Sequence, residues 1–151
     1  MASATGYKTE RWGVCGDGTQ RTNQPLGASV SVAGGALAVI DGTTKLLKDA
    51  AGSLGSTDVV LGLIHTNVTA GSSAGKDHCE IETGSFFLPF DSAPAQSNVG
   101  ATVYVSGEQQ VSLPSSSSSR PAAGVLVFID PTGAQYGGGY AVTLGVNKGL
   151  P

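Results

Sequence analysis

Charged residues are scarce in this chain. They make up 13% of its 151 residues, about half the usual share for a soluble domain, and the formal net charge is −3. A weakly negative chain has no general attraction for the phosphates of nucleic acid or for anionic lipid. The composition therefore predicts a neutral surface suited to contact with other protein, and we expect no nucleic-acid partner.

Long apolar runs and a dense set of cysteines are also missing. No stretch approaches the roughly 18 apolar residues that cross a bilayer, and residues 1–6 lack a basic region followed by an apolar one. We therefore expect no membrane contact and no secretion by that route. Two cysteines, Cys15 and Cys79, permit one disulfide at most, and we expect both to be reduced.

Signatures of catalysis, metal binding and cofactor binding are weak. The run Asp77-His78-Cys79-Glu80 holds zinc-ligand types, but neighbours on a strand point to opposite faces and cannot easily share one ion. No serine lies in a Gly-x-Ser-x-Gly elbow, and no phosphate-binding loop is present. Glu80 and Glu82 share a strand face, which leaves a small hydrolase as a remote alternative. We expect no enzyme, no metal and no cofactor.

A repeated strand pattern is the main feature that is present. Gly-Ala-Ser-Val-Ser-Val at residues 27–32 recurs as Gly-Ala-Thr-Val-Tyr-Val at residues 100–105. Each copy is followed by a turn and a second apolar strand, at residues 37–40 and 109–113, and later by a longer apolar run, at residues 59–64 and 123–129. Alternation of apolar and polar residues is typical of half-buried strands. Both copies are thus predicted to be hairpins.

Other segments extend the same interpretation. Residues 78–82 and 140–146 alternate, with Cys79, Ile81, Val142, Leu144 and Val146 predicted to face inward. Pro89 makes residues 86–90 an edge strand or its end, and residues 45–51 are predicted to form a short helical turn. The fold class expected is all-β, a compact antiparallel β-barrel or sandwich-like body built on a duplicated hairpin unit, with at most short helical turns.

The first residues differ from this body. Residues 1–25 are polar and irregular, and we interpret them as an extended N-terminal arm, followed by a β-rich domain at residues 26–151. The arm carries Tyr7, Lys8, Arg11 and Trp12, residue types that supply contact energy at protein interfaces. The alternative is that Trp12 packs into the core of its own domain.

The run at residues 125–129 is apolar at every position, which predicts a strand covered on both faces. The chain offers no long amphipathic helix to cover the second face. We therefore predict that Val125, Val127, Phe128 and Ile129 lie in an interface between subunits.

These segments resemble the head decoration, or cement, proteins of tailed bacteriophages. The resemblance covers most of residues 27–146, through the polar arm, the Gly-Ala-Thr-Val-Tyr-Val segment, the Ala-Gly-Val-Leu-Val strand at residues 123–127 and the closing strand from Tyr140. It implies a structural virion protein made in the host cytoplasm, which binds the major capsid protein on the outer surface of an assembled shell, commonly as a homotrimer, and braces neighbouring capsomers.

An alternative from another class is a carbohydrate-binding or adhesive module of a phage tail or fibre. Tyr104, Tyr136 and Tyr140 would then stack against sugar rings, and the Ser, Thr and Asn side chains of the loops would bind hydroxyl groups.

Overall fold

The computed structural model describes residues 20–114, 119–130 and 139–145. Within these ranges the chain is built almost entirely of antiparallel strands, and the regular helical structure is a single 3-10 turn at Gln96–Asn98. The strands, in chain order, are β1 Gln20–Pro25, β2 Ser31–Val32, β3 Leu37–Ile40, β4 Leu47–Lys48, β5 Val59–Ile64, β6 Val68–Thr69, β7 His78–Thr83, β8 Ser85–Phe87, β9 Thr102–Gly107, β10 Gln110–Ser112, β11 Ala122–Ile129 and β12 Tyr140–Leu144.

The strands form two five-stranded sheets and one small sheet. The first sheet has the order β1-β7-β5-β3-β4, the second has the order β10-β9-β11-β12-β8, and β2 pairs with β6. The two large sheets pack on each other as a sandwich-like body, and no closed barrel forms among the described residues. The all-β prediction is confirmed, and of its two architectures the sandwich is the one observed.

The two large sheets have the same topology. Read from β8, the second sheet runs β8-β12-β11-β9-β10, which matches β1-β7-β5-β3-β4 strand for strand. Just beyond β1, Leu26 forms a parallel bridge with Leu47 of β4, and just beyond β8, Phe90 forms the same bridge with Val111 of β10. We call residues 20–83 the first unit and residues 85–144 the second unit.

The match extends to single residues. In β5, a register shift against β3 lies next to Gly62, and in β11 a shift against β9 lies next to Gly124. A Cβ atom on Gly62 would collide with the carbonyl oxygen of Glu82, and one on Gly124 would collide with that of Thr143. Glycine is therefore required at both positions, because only hydrogen fits where the neighbouring strand approaches.

Each unit curls around its own core. In the first unit, Ala38, Ile40, Ile64 and Ile81 are buried on one face of the sheet, where the β2 and β6 region covers them. The equivalent positions of the second unit, Val103, Val105, Leu126 and Val142, are also buried. The opposite face of the first sheet completes this second core, since Leu37, Val39, Val60 and Leu63 belong to the same cluster. The first sheet is therefore covered on both sides.

Two hydrogen bonds also join the units at the tip of the hairpin formed by β9 and β10. The Leu37 amide donates to the Glu108 carbonyl oxygen at 2.7 Å, and Gln109 Nε2 donates to the Gly35 carbonyl oxygen at 2.7 Å. The hairpin of the second unit thus holds the start of β3 in place.

The duplication predicted from the sequence exists, but its first copy was placed on the wrong strand. The second hairpin is β9 with β10, as predicted. Residues 27–32 do not pair with β3, because Ser29 adopts a positive φ of 58° and only Ser31–Val32 is a strand, paired with β6. The true counterpart of the second hairpin is β3 with β4.

Three further sequence predictions can be compared with the structure. The helical turn at residues 45–51 is wrong, because Leu47 is fully buried and pairs with Ile40 as part of β4. The edge position before Pro89 is confirmed, since β8 ends at Phe87 on the edge of the second sheet. The inward residues of β7 and β12 are confirmed for Cys79, Ile81, Val142 and Leu144, while Val146 lies outside the described residues.

The boundary of the predicted arm also shifts. Gln20–Pro25 is β1 and pairs along its whole length with β7, so these six residues belong to the body. The remainder of the predicted arm, with Tyr7, Lys8, Arg11 and Trp12, lies outside the described residues, as does Cys15.

Candidate interaction surface

The second sheet has one face turned away from the core, and we call it the outer face. Residues directly opposite each other on paired strands point to the same side of a sheet. Starting from Val125 in the central strand β11, the pairing connects Thr102 on one side and Thr143 and Ser85 on the other. The residues of this face are Ser85, Phe87, Thr102, Tyr104, Ser112, Ala122, Val125, Phe128, Ala141 and Thr143.

These residues fall into three rows across the strands. The middle row is Ser85, Thr143, Val125 and Thr102, and within it Ser85 Oγ and Thr143 Oγ1 lie 2.6 Å apart in a hydrogen bond. A second row carries Phe87 and Ala141, which are both buried, and Phe128, which is 37% exposed. The third row carries Ser112, which is fully buried, and Tyr104 and Ala122, which are half-buried.

The outer face bears no charged residue. Its side chains are apolar or carry a single hydroxyl group, and each hydroxyl can both donate and accept a hydrogen bond. Among the described residues, the large apolar side chains classed as exposed are Val99 and Phe128, and Phe128 belongs to this face. Such a surface is complementary to another uncharged surface, and none of its side chains can form an ion pair with a charged ligand.

The predicted interface residues do not all lie on this face. Val125 is half-buried near its centre, and Phe128 is exposed on it. A register shift between Leu126 and Phe128 leaves Val127 as the half-buried, unpaired bulge residue, so that Phe128 lies on the outer face and Ile129 turns inward. Ile129 consequently packs against the core of the second unit rather than on the outer face.

The sequence pattern does not predict that several of these residues lie together on one face. The sequence pattern assigns Thr102, Tyr104 and Thr143 to outward positions, but only the strand order brings them beside Val125. The available signal was that none of these outward positions carries a charge, whereas the outward positions of β7 do.

The equivalent edge of the first sheet is charged. Arg21 occupies the position equivalent to Ser85, and Glu82 the position equivalent to Thr143. Arg21 lies 3.4 Å from Glu82 and 3.9 Å from Glu80, and His65 Nδ1 lies 3.1 Å from Glu82. The two glutamates share one face, as predicted, and both pair with the Arg21 guanidinium, which is an arrangement typical of a surface ion-pair network.

A second charged cluster orders the loop between β4 and β5. The Asp58 carboxylate is buried and accepts hydrogen bonds from the Gly42 amide at 2.8 Å, the Gly55 amide at 2.9 Å and Lys48 Nζ at 3.0 Å. Burial alone would raise the pKa of Asp58, but the amides of Gly55 and Gly42 and the Lys48 ammonium outweigh it and lower that pKa. Amide hydrogen bonds from Thr44 and Thr43 lower the pKa of Asp41 to about 2. Both carboxylates are therefore charged at neutral pH.

A cleft of about 550 Å³ lies between this loop and the hairpin of β9 and β10. Leu54, Val105 and Ala50 give it an apolar floor, and Ser106, Glu108 and Arg120 line it with polar groups. Ser106 Oγ donates to Gln110 Oε1 at 3.2 Å, and Arg120 Nη1 donates to the Val105 carbonyl oxygen at 3.2 Å. The first contact joins the two strands of the hairpin, and the second joins the segment before β11 to β9.

The remaining sequence predictions concern metal ions, thiols and membranes. In residues 20–114, 119–130 and 139–145, no group of three or more His, Cys, Asp or Glu side chains is arranged to hold a metal ion. His78 is exposed and Cys79 buried, as alternation along β7 predicts. Cys79 is a free thiol, and burial raises its pKa. No helix in the described part of the chain is long and apolar enough to span a bilayer.

Comparison with known proteins adds no relative. No protein-family model matches the chain, no curated protein matches its sequence, and no solved structure matches its fold. The outer face and the duplicated topology are therefore the features from which a function is inferred.

Proposed function

We propose that this protein is a structural virion protein that binds the outer surface of an assembled phage capsid and stabilises it by bridging neighbouring capsomers. In this role it acts through protein contacts, and the major capsid protein is its partner. The proposal extends the resemblance of the sequence to phage decoration proteins.

One observation carries the proposal. The outer face of the second sheet is uncharged, although the equivalent edge of the first sheet carries Arg21, Glu80 and Glu82. Charged residues are depleted at the centre of protein interfaces, and exposed aromatic residues such as Phe128 are enriched there. This difference in charge between the two sheets supports the interpretation of the outer face as a surface that contacts another protein.

The predicted arm gives a second contact. Residues 1–19 of the predicted arm precede β1, which is an edge strand of the first sheet. Tyr7, Lys8, Arg11 and Trp12 would bind the capsid surface, and the contacts of many copies on one shell would act together.

The test measures binding of the purified protein to empty capsids that lack it, by co-sedimentation. Deletion of residues 1–19 removes the arm and leaves β1 intact, and Val125→Glu places a charge in the middle of the outer face. We expect each change to weaken binding by roughly tenfold or more, because the lost contacts are worth at least about 1.4 kcal/mol.

Ser72→Glu is the matched control, because Ser72 is an exposed loop residue of the first unit and lies away from the outer face. It should bind like the wild type. Full binding by both the deletion and Val125→Glu would contradict the proposal, as would a wild-type protein with no affinity for capsids.

A carbohydrate-binding or adhesive module remains the second candidate, and Tyr104 is the residue that favours it. Tyr104 is half-buried on the outer face, where its ring lies beside hydroxyl-bearing neighbours. Tyr140 is already packed edge-on against Phe90, with ring centroids 5.4 Å apart, and Tyr136 lies outside the described residues. A glycan array would decide: binding that is lost in Tyr104→Ala would favour this candidate over capsid binding.

A further inference from the structure

We infer that the cleft between the loop at residues 50–54 and the hairpin of β9 and β10 binds the carboxyl terminus of a peptide whose last residue is apolar. This cleft is separate from the outer face, and the inference does not depend on capsid binding. It follows from the size of the cleft and from the three kinds of chemical group that line it.

The cleft has the size and the fixed walls of a ligand site. Its volume of about 550 Å³ lies within the range of roughly 300 to 1,000 Å³ that is typical of sites for small ligands. On the loop side, the amides of Ala51 and Gly52 donate to the Asp49 carboxylate at 2.9 Å and to its carbonyl oxygen at 3.0 Å. On the hairpin side, the Leu37 amide donates to the Glu108 carbonyl oxygen at 2.7 Å. Because both walls are held by hydrogen bonds, a ligand would need to order little of the protein.

Arg120 supplies a cation at the cleft. It is exposed, and its Nη1 donates to the Val105 carbonyl oxygen at 3.2 Å, which holds the guanidinium at the cleft wall. A guanidinium carries five N–H donors, and in the described part of the chain this carbonyl is the partner that Arg120 has. The remaining donors match a carboxylate, which arginine binds through two parallel hydrogen bonds.

Ser106 and Glu108 supply acceptors. Ser106 Oγ donates its hydrogen atom to Gln110 Oε1 at 3.2 Å, so this hydroxyl group presents its lone pairs to a ligand. The carboxylate of Glu108 also lines the cleft and accepts hydrogen bonds. With Arg120 and Glu108 as its charged residues, the described lining has no net charge. It therefore matches a ligand with one carboxylate and an N–H donor better than a phosphate or another dianion.

Apolar side chains form the floor of the cleft. Leu54 is half-buried and packs against the core of the second unit, and Ala50 and Val105 are buried members of that core. An apolar group placed on this floor leaves water together with part of the Leu54 side chain, which favours binding. The last residue of a peptide carries all the groups that the cleft matches: a carboxylate, a backbone N–H and, when the residue is apolar, a side chain for the floor.

The test is an NMR titration of the isotopically labelled protein with acetyl-Gly-Gly-Leu, a peptide with a free carboxyl terminus. We expect the amide signals of Gly52 and Gly107, which line the cleft, to shift with a dissociation constant of roughly 100 μM, because ligands of this size bind weakly. The same peptide with a carboxamide terminus lacks the charge, and acetyl-Gly-Gly-Gly lacks the apolar side chain. Each should bind roughly tenfold more weakly than acetyl-Gly-Gly-Leu.

Two arginine variants assign the carboxylate contact. In Arg120→Gln, the free and the amidated peptide should bind equally weakly, because the preference for the carboxylate comes from this side chain. Arg21→Gln is the matched control, since it removes the same charge from β1, at a residue that does not line the cleft, and should keep the preference. Circular dichroism establishes that both variants are folded, and the comparison of peptides on the wild-type protein needs no variant.

Three results would each overturn the inference: unshifted Gly52 and Gly107 signals at millimolar peptide, equal binding of the free and amidated peptides by the wild type, or an undiminished preference in Arg120→Gln. Free leucine that binds as tightly as the peptide would overturn the assignment to a peptide terminus, because leucine carries an ammonium group in place of the amide. Capsid co-sedimentation is a separate measurement, so its failure would contradict the proposed function and leave this inference standing.

Discussion

The first and second units share one topology but differ in what covers them. All four residues of β3 are buried, because the first sheet is covered by the second unit on one face and by the β2 and β6 region on the other. In β11, Ala123, Gly124 and Leu126 are buried, and the other residues are half-buried or exposed. Equal topology therefore does not mean equal burial, and a position's neighbours decide how much it contributes to stability.

The glycines beside the two register shifts test the equivalence most strongly. Gly62→Ala and Gly124→Ala each place a methyl group against a backbone carbonyl of the adjacent strand, which cannot move aside without breaking the ladder. We expect each to lower the free energy of unfolding by about 3 kcal/mol or more, measured by urea denaturation. Gly55→Ala, where a Cβ meets nothing within 4 Å, is the control and should change it little. A large loss at only one of the two glycines would break the equivalence.

A second pair of variants tests the difference in burial between equivalent positions of the two sheets. Leu63 and Val125 are equivalent positions, yet Leu63 is fully buried between the sheets and Val125 is half-buried on the outer face. Leu63→Ala should cost about 3 kcal/mol of unfolding free energy, whereas Val125→Ala should cost less than about 1 kcal/mol in the monomer. Similar costs at the two positions would contradict the difference in burial between Leu63 and Val125.

The loop between β4 and β5 of the first unit is ordered by the buried carboxylate of Asp58. Asp58→Ala leaves two amides and Lys48 without their acceptor, and we expect a loss of about 2 kcal/mol at pH 7 in chemical denaturation. Folding lowers the pKa values of Asp58 and Asp41, so their stabilising effect is present above the unfolded value of about 4 and is lost as the pH falls through the lowered folded values, which for Asp41 is about 2. The difference between wild type and variant should therefore shrink from pH 6 to pH 2. A constant difference would mean that the carboxylate charge is not what orders the loop.

The smallest expected effect comes from one cross-strand position that carries different chemistry in the two units. Arg21 pairs with Glu82 across β1 and β7, and Ser85 pairs with Thr143 across β8 and β12. Arg21→Ala should cost about 0.5 kcal/mol, and less in high salt, because the ion pair is exposed. Ser85→Ala should cost about 1 kcal/mol at any salt concentration, because it removes a neutral hydrogen bond. Thermal melts at low and high ionic strength separate the two responses.

Much of the fold follows from local pattern. Alternation in β7, β9 and β12 predicts both the strands and their inward residues, and Pro89 predicts an edge, because these properties depend on neighbours in sequence. The assignment of the first hairpin failed since the resemblance between residues 27–32 and 100–105 is local, while strand pairing is decided by contacts far apart in the chain. The bridge between Leu26 and Leu47, with the positive φ of Ser29 that follows, turns the chain before β2 can pair with β3.

The candidate surface was predictable only in part. The apolar run at residues 125–129 predicts a strand that needs cover on both faces, but the strand covered in that way is β3. A register shift at Val127 cannot be read from composition, and it decides that Phe128 is exposed while Ile129 is internal. The membership of the outer face depends on the order β10-β9-β11-β12-β8, which no local pattern specifies.

The bridges at Leu26 and Phe90 affect the tendency of the protein to aggregate through the edges of its sheets. A protein with few charges loses much of the repulsion that prevents strands of different molecules from joining edge to edge. In each unit the chain beyond the first strand bonds to the far edge strand, through the Gly27 amide to Leu47 and the Asp91 amide to Val111. These bonds occupy backbone groups of the edge strands that would otherwise be open to a strand of another molecule, so each sheet is protected from edge-to-edge pairing at these positions.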